Sequence, residues 1–419
     1  MRSSRRHDLA ALLGATVIAL ALAEIGVRLL VVPSEVSGGR LLGLELPPLD
    51  AFPESLTAWD TSGEAAGRLF EGGPLTFGDL WGIHREDSLL GYTALENERS
   101  RHGWWQSNEI GARARRTVSA DAGSRVLVFG ESFAQASRVR QEDAWTSVLD
   151  SLCTELDVVN FGVDGYSMGQ AYLRYRTLGP VLEHDVMLLL FAPSVDLWRE
   201  VNTLRSLRGW MGVPLVPRFV LEGEELKVIE MPYLDLASAV EENRGGVSWR
   251  LHDHLSRHDR FYCPRLYRVP PIMGDLVLYK VAATVWCRAS LLRRKSGLLK
   301  PDGEAARIVR AIFTAARVET QENGARFVLA IVPTRKDVEN RATKRRDAGV
   351  LDELERLFCS ENECIDLTDG LSSLSSRELD HGSDGTHYGP LANRRIAEIF
   401  ASRFGCHEAT SGPGGGPGP

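Results

Sequence analysis

Five short runs of apolar residues predict buried β-strands in the second part of the chain. They are RVLVF (125–129), LDVVNF (156–161), VMLLLF (186–191), RFVLAIV (326–332) and CIDL (364–367). Each run is bounded by Gly, Pro or acidic residues, and its apolar residues are continuous rather than alternating with polar ones. Continuous runs of this kind are typical of parallel strands that helices cover on both faces.

Amphipathic stretches at 143–153, 169–182, 304–323 and 390–404 lie between and after these runs. Strands that alternate with helical crossovers predict an α/β fold, here a flavodoxin-like, doubly wound parallel sheet of about five strands. The region 201–303 interrupts the alternation. The pattern within this region predicts a hairpin at 218–232 that turns at Gly223. It also predicts a polar helix within SWRLHDHLSRHDRFY (248–262). An insertion at this edge of a sheet is typical of a lid or substrate-binding subdomain.

The N-terminus has the pattern of an export signal. MRSSRRHD carries three arginines ahead of the apolar run LAALLGATVIALALA (9–23). Ala21-Leu22-Ala23 fits a small-x-small cleavage site, which would release the protein. Alternatively the helix continues to Val32, which is long enough to span a bilayer. Apolar character resumes after Arg28, and this favours an uncleaved, single-pass anchor with the rest of the chain outside the cytoplasm, in the periplasm or at the cell surface.

These patterns divide the chain into four parts. Residues 1–32 form the cytoplasmic start and transmembrane anchor (or signal peptide), and 33–120 form an extracytoplasmic extension. Residues 121–405 form the α/β domain with its insertion at about 201–303, and the Gly/Pro-rich 406–419 form a disordered tail.

Composition narrows the class of protein. The chain is 43% hydrophobic and 25% charged, as in globular proteins. A net charge of −7, without a basic stripe, excludes a nucleic-acid binder. Six cysteines in an exported chain can pair, and Cys359 and Cys364 are close enough to close a small loop. The sequence leaves the rest of the pairing open.

Candidate catalytic residues follow the predicted strands, at the edge where open α/β sheets bind ligands. Gly-Glu-Ser (130–132) follows the first strand, NFGVDG (160–165) the second and APSVDLW (192–198) the third, while DGTH (384–387) lies beyond the fifth. A serine nucleophile needs a base within hydrogen-bond reach and a group that orients the base. Asp384, three residues before His387, can fold back onto the imidazole, so that Ser132, His387 and Asp384 form a candidate triad.

Together GESF, NFGVDG and DGTH resemble the first, second and fifth sequence blocks of the SGNH/GDSL hydrolases. DSLLGY (87–92) and SNEIGARAR (107–115) are similar to a lead-in of membrane-anchored bacterial members. The resemblance implies the SGNH hydrolase fold, with Ser132 as nucleophile and Asp384 and His387 as its partners. It also implies an oxyanion hole formed by the backbone N–H groups of Ser132 and Gly165.

One position departs from the family pattern. The third block normally reads G-x-N-D, and its Asn donates to the oxyanion, but this chain has Val195 there and keeps Asp196. Loss of one such donor typically costs about 2.7–4 kcal/mol of transition-state stabilisation. Ser194 or a group from the insertion is the candidate replacement, and Asp196 is predicted to be a structural acceptor.

The sequence therefore predicts an extracytoplasmic serine esterase or O-acyltransferase. The resemblance implies an acylated carbohydrate of the cell envelope or of an exopolysaccharide, or another small ester, as substrate, and the N-terminal helix implies the membrane as a partner. The alternative, favoured by Val195, is a non-catalytic protein of this fold that binds glycan or a partner. The mechanism requires no cofactor. His254 and His258 share a helix face, but the arginines around them predict a solvated helix rather than a metal site.

Overall fold

The computed structural model describes residues 2–34, 36–52, 83–100, 104–114, 116–118, 123–208, 215–271, 273–295, 297–342, 346–379 and 387–406. They form two compact units. The N-terminal unit contains the described residues of Met1–Ala58, Leu204–Leu215 and Pro232–Ser296. The α/β unit contains those of Trp59–Thr203, Val216–Met231 and Gly297–Pro419.

Twelve strands and fifteen α-helices have the following bounds within the described residues. The strands are β1 (Val31–Val32), β2 (Arg40–Leu41), β3 (Leu44–Glu45), β4 (His84–Asp87), β5 (Gly91–Ala94), β6 (Ser124–Phe129), β7 (Leu156–Asn160), β8 (Val186–Phe191), β9 (Arg218–Glu222), β10 (Glu225–Ile229), β11 (Arg326–Ile331) and β12 (Glu363–Asp366). The helices are α1 (Arg2–Arg28), α2 (Ser132–Gln135), α3 (Trp145–Leu152), α4 (Met168–Leu178), α5 (Pro193–Asp196), α6 (Leu236–Glu242), α7 (Trp249–His258), α8 (Pro264–Tyr267), α9 (Val277–Lys295), α10 (Glu304–Glu322), α11 (Arg335–Ala342), α12 (Arg346–Ser360), α13 (Thr368–Ser372), α14 (Ser376–Leu379) and α15 (Pro390–Arg403).

The five predicted strands form one parallel sheet in the order β12-β11-β8-β6-β7. The chain passes from β6 to β7 on one side and then returns to β8 on the other, which is the flavodoxin-like order that the sequence predicts. The prediction of a doubly wound α/β fold is confirmed. The point where the strand order reverses lies between β6 and β8, beside Gly130 and Ser132.

Both faces of the sheet are buried, which explains the continuous apolar runs. On one face, Val126, Leu188 and Val328 belong to a core cluster that includes residues of α3 and α15. The rings of Trp145 and Phe400 join these two helices, with their centroids 4.9 Å apart. On the other face, Phe191 packs edge-on against Phe313 of α10 and Phe358 of α12, at 5.3 and 5.1 Å.

The region that interrupts the alternation is divided between the two units. The predicted hairpin is present as β9 and β10 in the α/β unit, and Gly223 turns it with φ of 67°. The predicted polar helix is present as α7, in the N-terminal unit. The same unit contains α9, a nineteen-residue helix that the sequence analysis does not predict. A disulfide between Cys263 and Cys287 joins α9 to the residue before α8.

The first helix of the N-terminal unit, α1, contains an 18-residue apolar window, Ala11–Arg28, with a mean hydropathy of 1.8. Its large apolar side chains are exposed, for example Val17 at 64% and Leu22 at 64%. A helix of this length and composition fits either a membrane span or a signal sequence.

Candidate active site

A sharp turn between β6 and α2 presents Ser132 at the carboxyl edge of the sheet. Gly130 adopts φ of 141°, and a Cβ atom there would lie 2.8 Å from the carbonyl oxygen of Leu190 on β8. Only glycine fits this turn. Ser132 is the first residue of α2 and is 1% exposed.

His387 contacts Ser132 across the site. Its Nε2 lies 2.7 Å from Ser132 Oγ, although the two residues are 255 positions apart in the chain. The imidazole ring packs against Phe133, with the ring centroids 5.2 Å apart. His387 lies three residues before the start of α15. The structure thus brings together two of the three predicted triad residues, and the third, Asp384, lies outside the described residues.

The carboxylate of Glu131 occupies the start of α2. It accepts hydrogen bonds from the backbone N–H of Phe133 at 2.9 Å and from that of Ser132 at 2.6 Å. The Ser132 hydroxyl also contacts Glu131 Oε2. Glu131 is 1% exposed. The N–H of Ser132, which the sequence assigns to the oxyanion hole, is therefore bound to the neighbouring side chain in this structure.

The loop after β7 packs directly against the Ser132 turn. The N–H of Val163 donates to the carbonyl of Gly130 at 3.1 Å, and that of Asp164 donates to the side chain of Gln135 at 3.2 Å. A Cβ atom on Gly162 would lie 2.4 Å from the backbone nitrogen of Gln135, so glycine permits this close approach. Gly165, the predicted oxyanion residue, is buried in the same loop with φ of 79°.

The segment after β8 lacks the amide donor that the family pattern places there. Val195 is partly buried and packs against the core cluster. The hydroxyl of Ser194, a candidate replacement, donates to Asp337 at 2.7 Å. Asp196 accepts from the N–H of Ala192 at 2.7 Å, as expected for a structural acceptor.

A buried cation that the sequence analysis did not identify, Arg199, lies beside these residues. Its Nη1 donates to Asp196 Oδ1 at 2.7 Å and lies 3.5 Å from Glu131 Oε2. It is also 3.3 Å from the carbonyl oxygen of Tyr166. Burial raises the pKa of the Asp196 carboxyl, and the Glu131 carboxylate raises it further. The i, i+3 spacing of Asp196 and Arg199 is the sequence signal that indicates this ion pair.

Arg113 is a second buried cation that the sequence analysis did not assign to the site, although it lies within SNEIGARAR. Its Nη1 donates to the carbonyls of Gln135 and Ala136, at the end of α2, at 2.5 and 2.6 Å. Its Nη2 donates to the carbonyls of Trp104 and Val139, at 3.0 and 2.9 Å. Burial lowers the pKa of Arg113 to about 9, so the guanidinium is still charged at neutral pH. It ties the segment before β6 to the helix that begins with Ser132.

No protein-family model matches the sequence, and no curated protein matches it significantly. Similar solved structures include an alpha/beta hydrolase enzyme, LAE5, from the metagenome of Lake Arreo (13% identity, TM-score 0.35, 68% of this chain and 96% of that chain). An acetylxylan esterase from Geobacillus stearothermophilus is 12% identical, with a TM-score of 0.37 over 69% of this chain and 98% of that chain. A lipolytic G-D-S-L protein from Veillonella parvula is 10% identical, with a TM-score of 0.32 over 67% and 98%.

The last of these structures is described as a member of the G-D-S-L family, which is the family that the motifs of this chain resemble. All three TM-scores lie below 0.5. These similarities therefore do not determine the chemistry of this chain, which depends on its own residues and their geometry.

Proposed function

We propose that this chain is an extracytoplasmic, membrane-anchored serine hydrolase or O-acyltransferase that acts on acyl esters of a cell-envelope or exopolysaccharide glycan. The distance of 2.7 Å between Ser132 Oγ and His387 Nε2 carries the proposal. This pair lies at the point of the sheet where doubly wound folds bind ligands.

In the proposed reaction, Ser132 Oγ attacks the ester carbonyl while His387 takes the hydroxyl proton. The tetrahedral intermediate expels the alcohol, which receives that proton from His387, and the acyl group remains on Ser132. Water or a sugar hydroxyl then attacks the acyl-serine and gives its proton to His387. The bond between the acyl carbon and Ser132 Oγ breaks, Oγ takes that proton back, and the free acid or the acylated sugar leaves. Asp384 orients the imidazole, and the N–H groups of Ser132 and Gly165 hold the oxyanion.

For the N–H of Ser132 to reach the oxyanion, Glu131 Oε2 has to release it, because the two atoms are hydrogen-bonded at 2.6 Å. Arg199 Nη1 lies 3.5 Å from the same carboxylate oxygen and is the cation toward which Glu131 moves. The substrate carbonyl then takes the place that the carboxylate leaves.

Two observations support the location outside the cytoplasm. The exposed apolar helix α1 follows a basic N-terminus. All six cysteines are paired, as Cys153–Cys406, Cys263–Cys287 and Cys359–Cys364, and such pairing is typical of oxidising compartments.

Reaction of the full chain with a fluorophosphonate probe tests the proposed nucleophile. We expect one covalent adduct, which is lost in Ser132→Ala and strongly slowed in His387→Gln. Ser151→Ala is the matched control, because Ser151 is exposed on α3 and its hydroxyl bonds only within that helix. An adduct that persists in Ser132→Ala would assign the reaction to another residue.

A second candidate function is binding of glycan without catalysis. It is favoured by Val195 and by the engagement of the Ser132 N–H with Glu131. A folded protein that forms no adduct but retains acetylated glycan on a column would support it. If an adduct forms, release of acetate from an acetylated oligosaccharide, measured with and without an added glycan acceptor, separates hydrolysis from acyl transfer.

A further inference from the structure

Helix α9 of the N-terminal unit presents an apolar stripe to solvent. Val285, Trp286 and Leu292 are 57%, 46% and 66% exposed, and Ala282 and Ala289 continue the stripe at helical spacing. The opposite face of the helix is buried: Ala283, Thr284 and Cys287 are at most 4% exposed. We call Ala282, Val285, Trp286, Ala289 and Leu292 the α9 stripe. A patch of this kind on the surface of a protein indicates an interaction site.

The start of α9 is bonded to the end of the apolar helix α1. The carboxylate of Glu24 accepts from the N–H groups of Val277 and Leu278 at 2.8 and 2.9 Å, and so caps α9. Arg28 donates to the carbonyl of Asp275 at 2.5 Å. Glu24 and Arg28 lie in the last turns of the window Ala11–Arg28. If α1 spans a membrane, α9 begins where that span ends.

The groups around the stripe suit an anionic bilayer surface. Arg288, Arg293 and Lys295 are exposed on α9. The guanidinium of Arg265 lies 4.3 Å from the ring centroid of Trp286. Basic residues beside Trp and aliphatic side chains are typical of helices that lie in the headgroup region. Leu29 and Leu42 of the same unit are also exposed, at 81% and 90%.

We infer that the α9 stripe rests in the headgroup region of an anionic membrane. This inference depends on the proposed anchoring through α1. The occupant is the lipid bilayer because the end of the apolar helix, the exposed apolar stripe and the basic residues all belong to one unit. Helix α9, which carries both the stripe and the basic residues, begins at the end of α1.

Three single Val→Cys variants of the full chain test the inference, each labelled with the environment-sensitive dye NBD. All six native cysteines are in disulfides, so the added thiol takes the dye. Val17 (64% exposed) lies in α1, Val285 (57%) in the α9 stripe, and Val181 (74%) on the surface of the α/β unit. The labelled proteins are reconstituted into phosphatidylethanolamine–phosphatidylglycerol vesicles that contain a doxyl-labelled lipid.

We expect the probe at Val285 to lose more than about half of its emission to the doxyl lipid, as for a group about 5–10 Å into the headgroup–acyl boundary. The probe at Val181 should not be quenched. Ala282→Cys is a second stripe position in case Val285→Cys does not fold. Arg288→Glu should weaken the quenching at Val285 in these vesicles.

The remaining outcomes overturn the inference in distinguishable ways. Quenching at Val17 without quenching at Val285 would leave the anchor intact and reject the surface contact. Absence of quenching at both positions would reject the anchor as well. If the Val285 probe is shielded from aqueous iodide but not quenched by lipid, a protein surface covers the stripe instead.

Discussion

Ser132 Oγ carries one proton and contacts two acceptors, the Nε2 of His387 and the carboxylate of Glu131. A hydroxyl donates to one partner at a time. While Ser132 donates to Glu131, the contact with His387 can form only if the imidazole donates to Oγ, and His387 then cannot act as base. In the proposed reaction the hydroxyl has to turn toward His387. The hydrogen bond from Ser132 to Glu131 therefore has to break before the site can react.

Removal of the Arg199 charge should destabilise the α/β unit. Arg199→Met leaves the buried acidic side chains of Glu131 and Asp196 without their cation, which typically costs about 3–5 kcal/mol. The double variant Arg199→Met/Asp196→Asn should recover part of that loss because it removes one of the two buried acidic groups. Urea unfolding of the wild type, both single variants and the double variant measures the coupling. A double variant that is less stable than Arg199→Met would contradict this account of the cluster.

The same variants should differ with pH in a definite direction. Burial raises the pKa of Asp196, so the folded state binds its proton more tightly than the unfolded state does. The contribution of this group to stability therefore falls as the pH rises above the ordinary pKa of aspartate, about 3.9. The free energy of unfolding of Asp196→Asn should therefore increase relative to that of the wild type as the pH rises above about 4. A constant difference would show that Asp196 does not titrate as its burial requires.

At the scale of elements, Arg113 joins the segment before β6 to the end of α2. Its guanidinium donates to four carbonyls and to the side chain of Gln141, at 3.1 Å. The planar fork of arginine reaches partners that a lysine ammonium, with three donors, cannot reach together. Because Ser132 is in α2, this contact also fixes the position of the proposed nucleophile.

Arg113→Lys should therefore lower stability and slow the reaction with the fluorophosphonate probe. At least two of the five buried acceptors lose their donor, at about 1–3 kcal/mol each. Arg116→Lys is the matched control, because Arg116 is 58% exposed and pairs with Asp150 at the surface, where a pair is worth about 0–1 kcal/mol. Unfolding in urea and the labelling rate are the measurements. Equal effects of the two substitutions would show that the guanidinium geometry of Arg113 determines neither the stability nor the labelling rate.

The elements of the sheet were predictable because their pattern is local. The five apolar runs correspond to β6, β7, β8, β11 and β12, each within one residue at either end. Helix α9 was not predicted because its exposed face is apolar, so the chain there shows no clear change between polar and apolar faces. The two-residue strands β1, β2 and β3 are too short to produce a period.

The site was predictable only in part. Ser132 and His387 could be named from their motifs, and the structure brings them together. The role of Glu131 as an acceptor for its neighbour depends on a rotamer, and the contacts of Arg199 and Arg113 depend on loops that meet only in the folded chain. The i, i+3 spacing of Asp196 and Arg199 indicates that one ion pair, and no spacing in the sequence indicates the other contacts.

At the scale of the whole chain, one disulfide joins distant parts of the α/β unit. Cys153 follows α3 and Cys406 follows α15, and the two are 253 residues apart. Cys359 and Cys364 close a loop of only 5 residues. Because a cross-link restricts the unfolded chain more when its loop is longer, the first bond should stabilise the fold more than the second.

The chain-entropy argument gives roughly 5 kcal/mol for the long loop and roughly 2 kcal/mol for the short one. We expect the double variant Cys153→Ser/Cys406→Ser to unfold at a clearly lower temperature than Cys359→Ser/Cys364→Ser. Calorimetry of the two proteins, purified under the same oxidising conditions, provides the comparison. If the two variants lose equal stability, native contacts and not loop closure determine the effect of these bonds.

The separation of 255 residues between Ser132 and His387 also determines when the two residues can meet during synthesis of the chain. At a synthesis rate of about 5–20 residues per second, the segment with His387 emerges some 13–50 s after Ser132. Until then a nascent chain carries Ser132 without its proposed base, and α15 has not yet been made. Under the proposed function, a chain that stalls during export before His387 emerges would be inert toward esters.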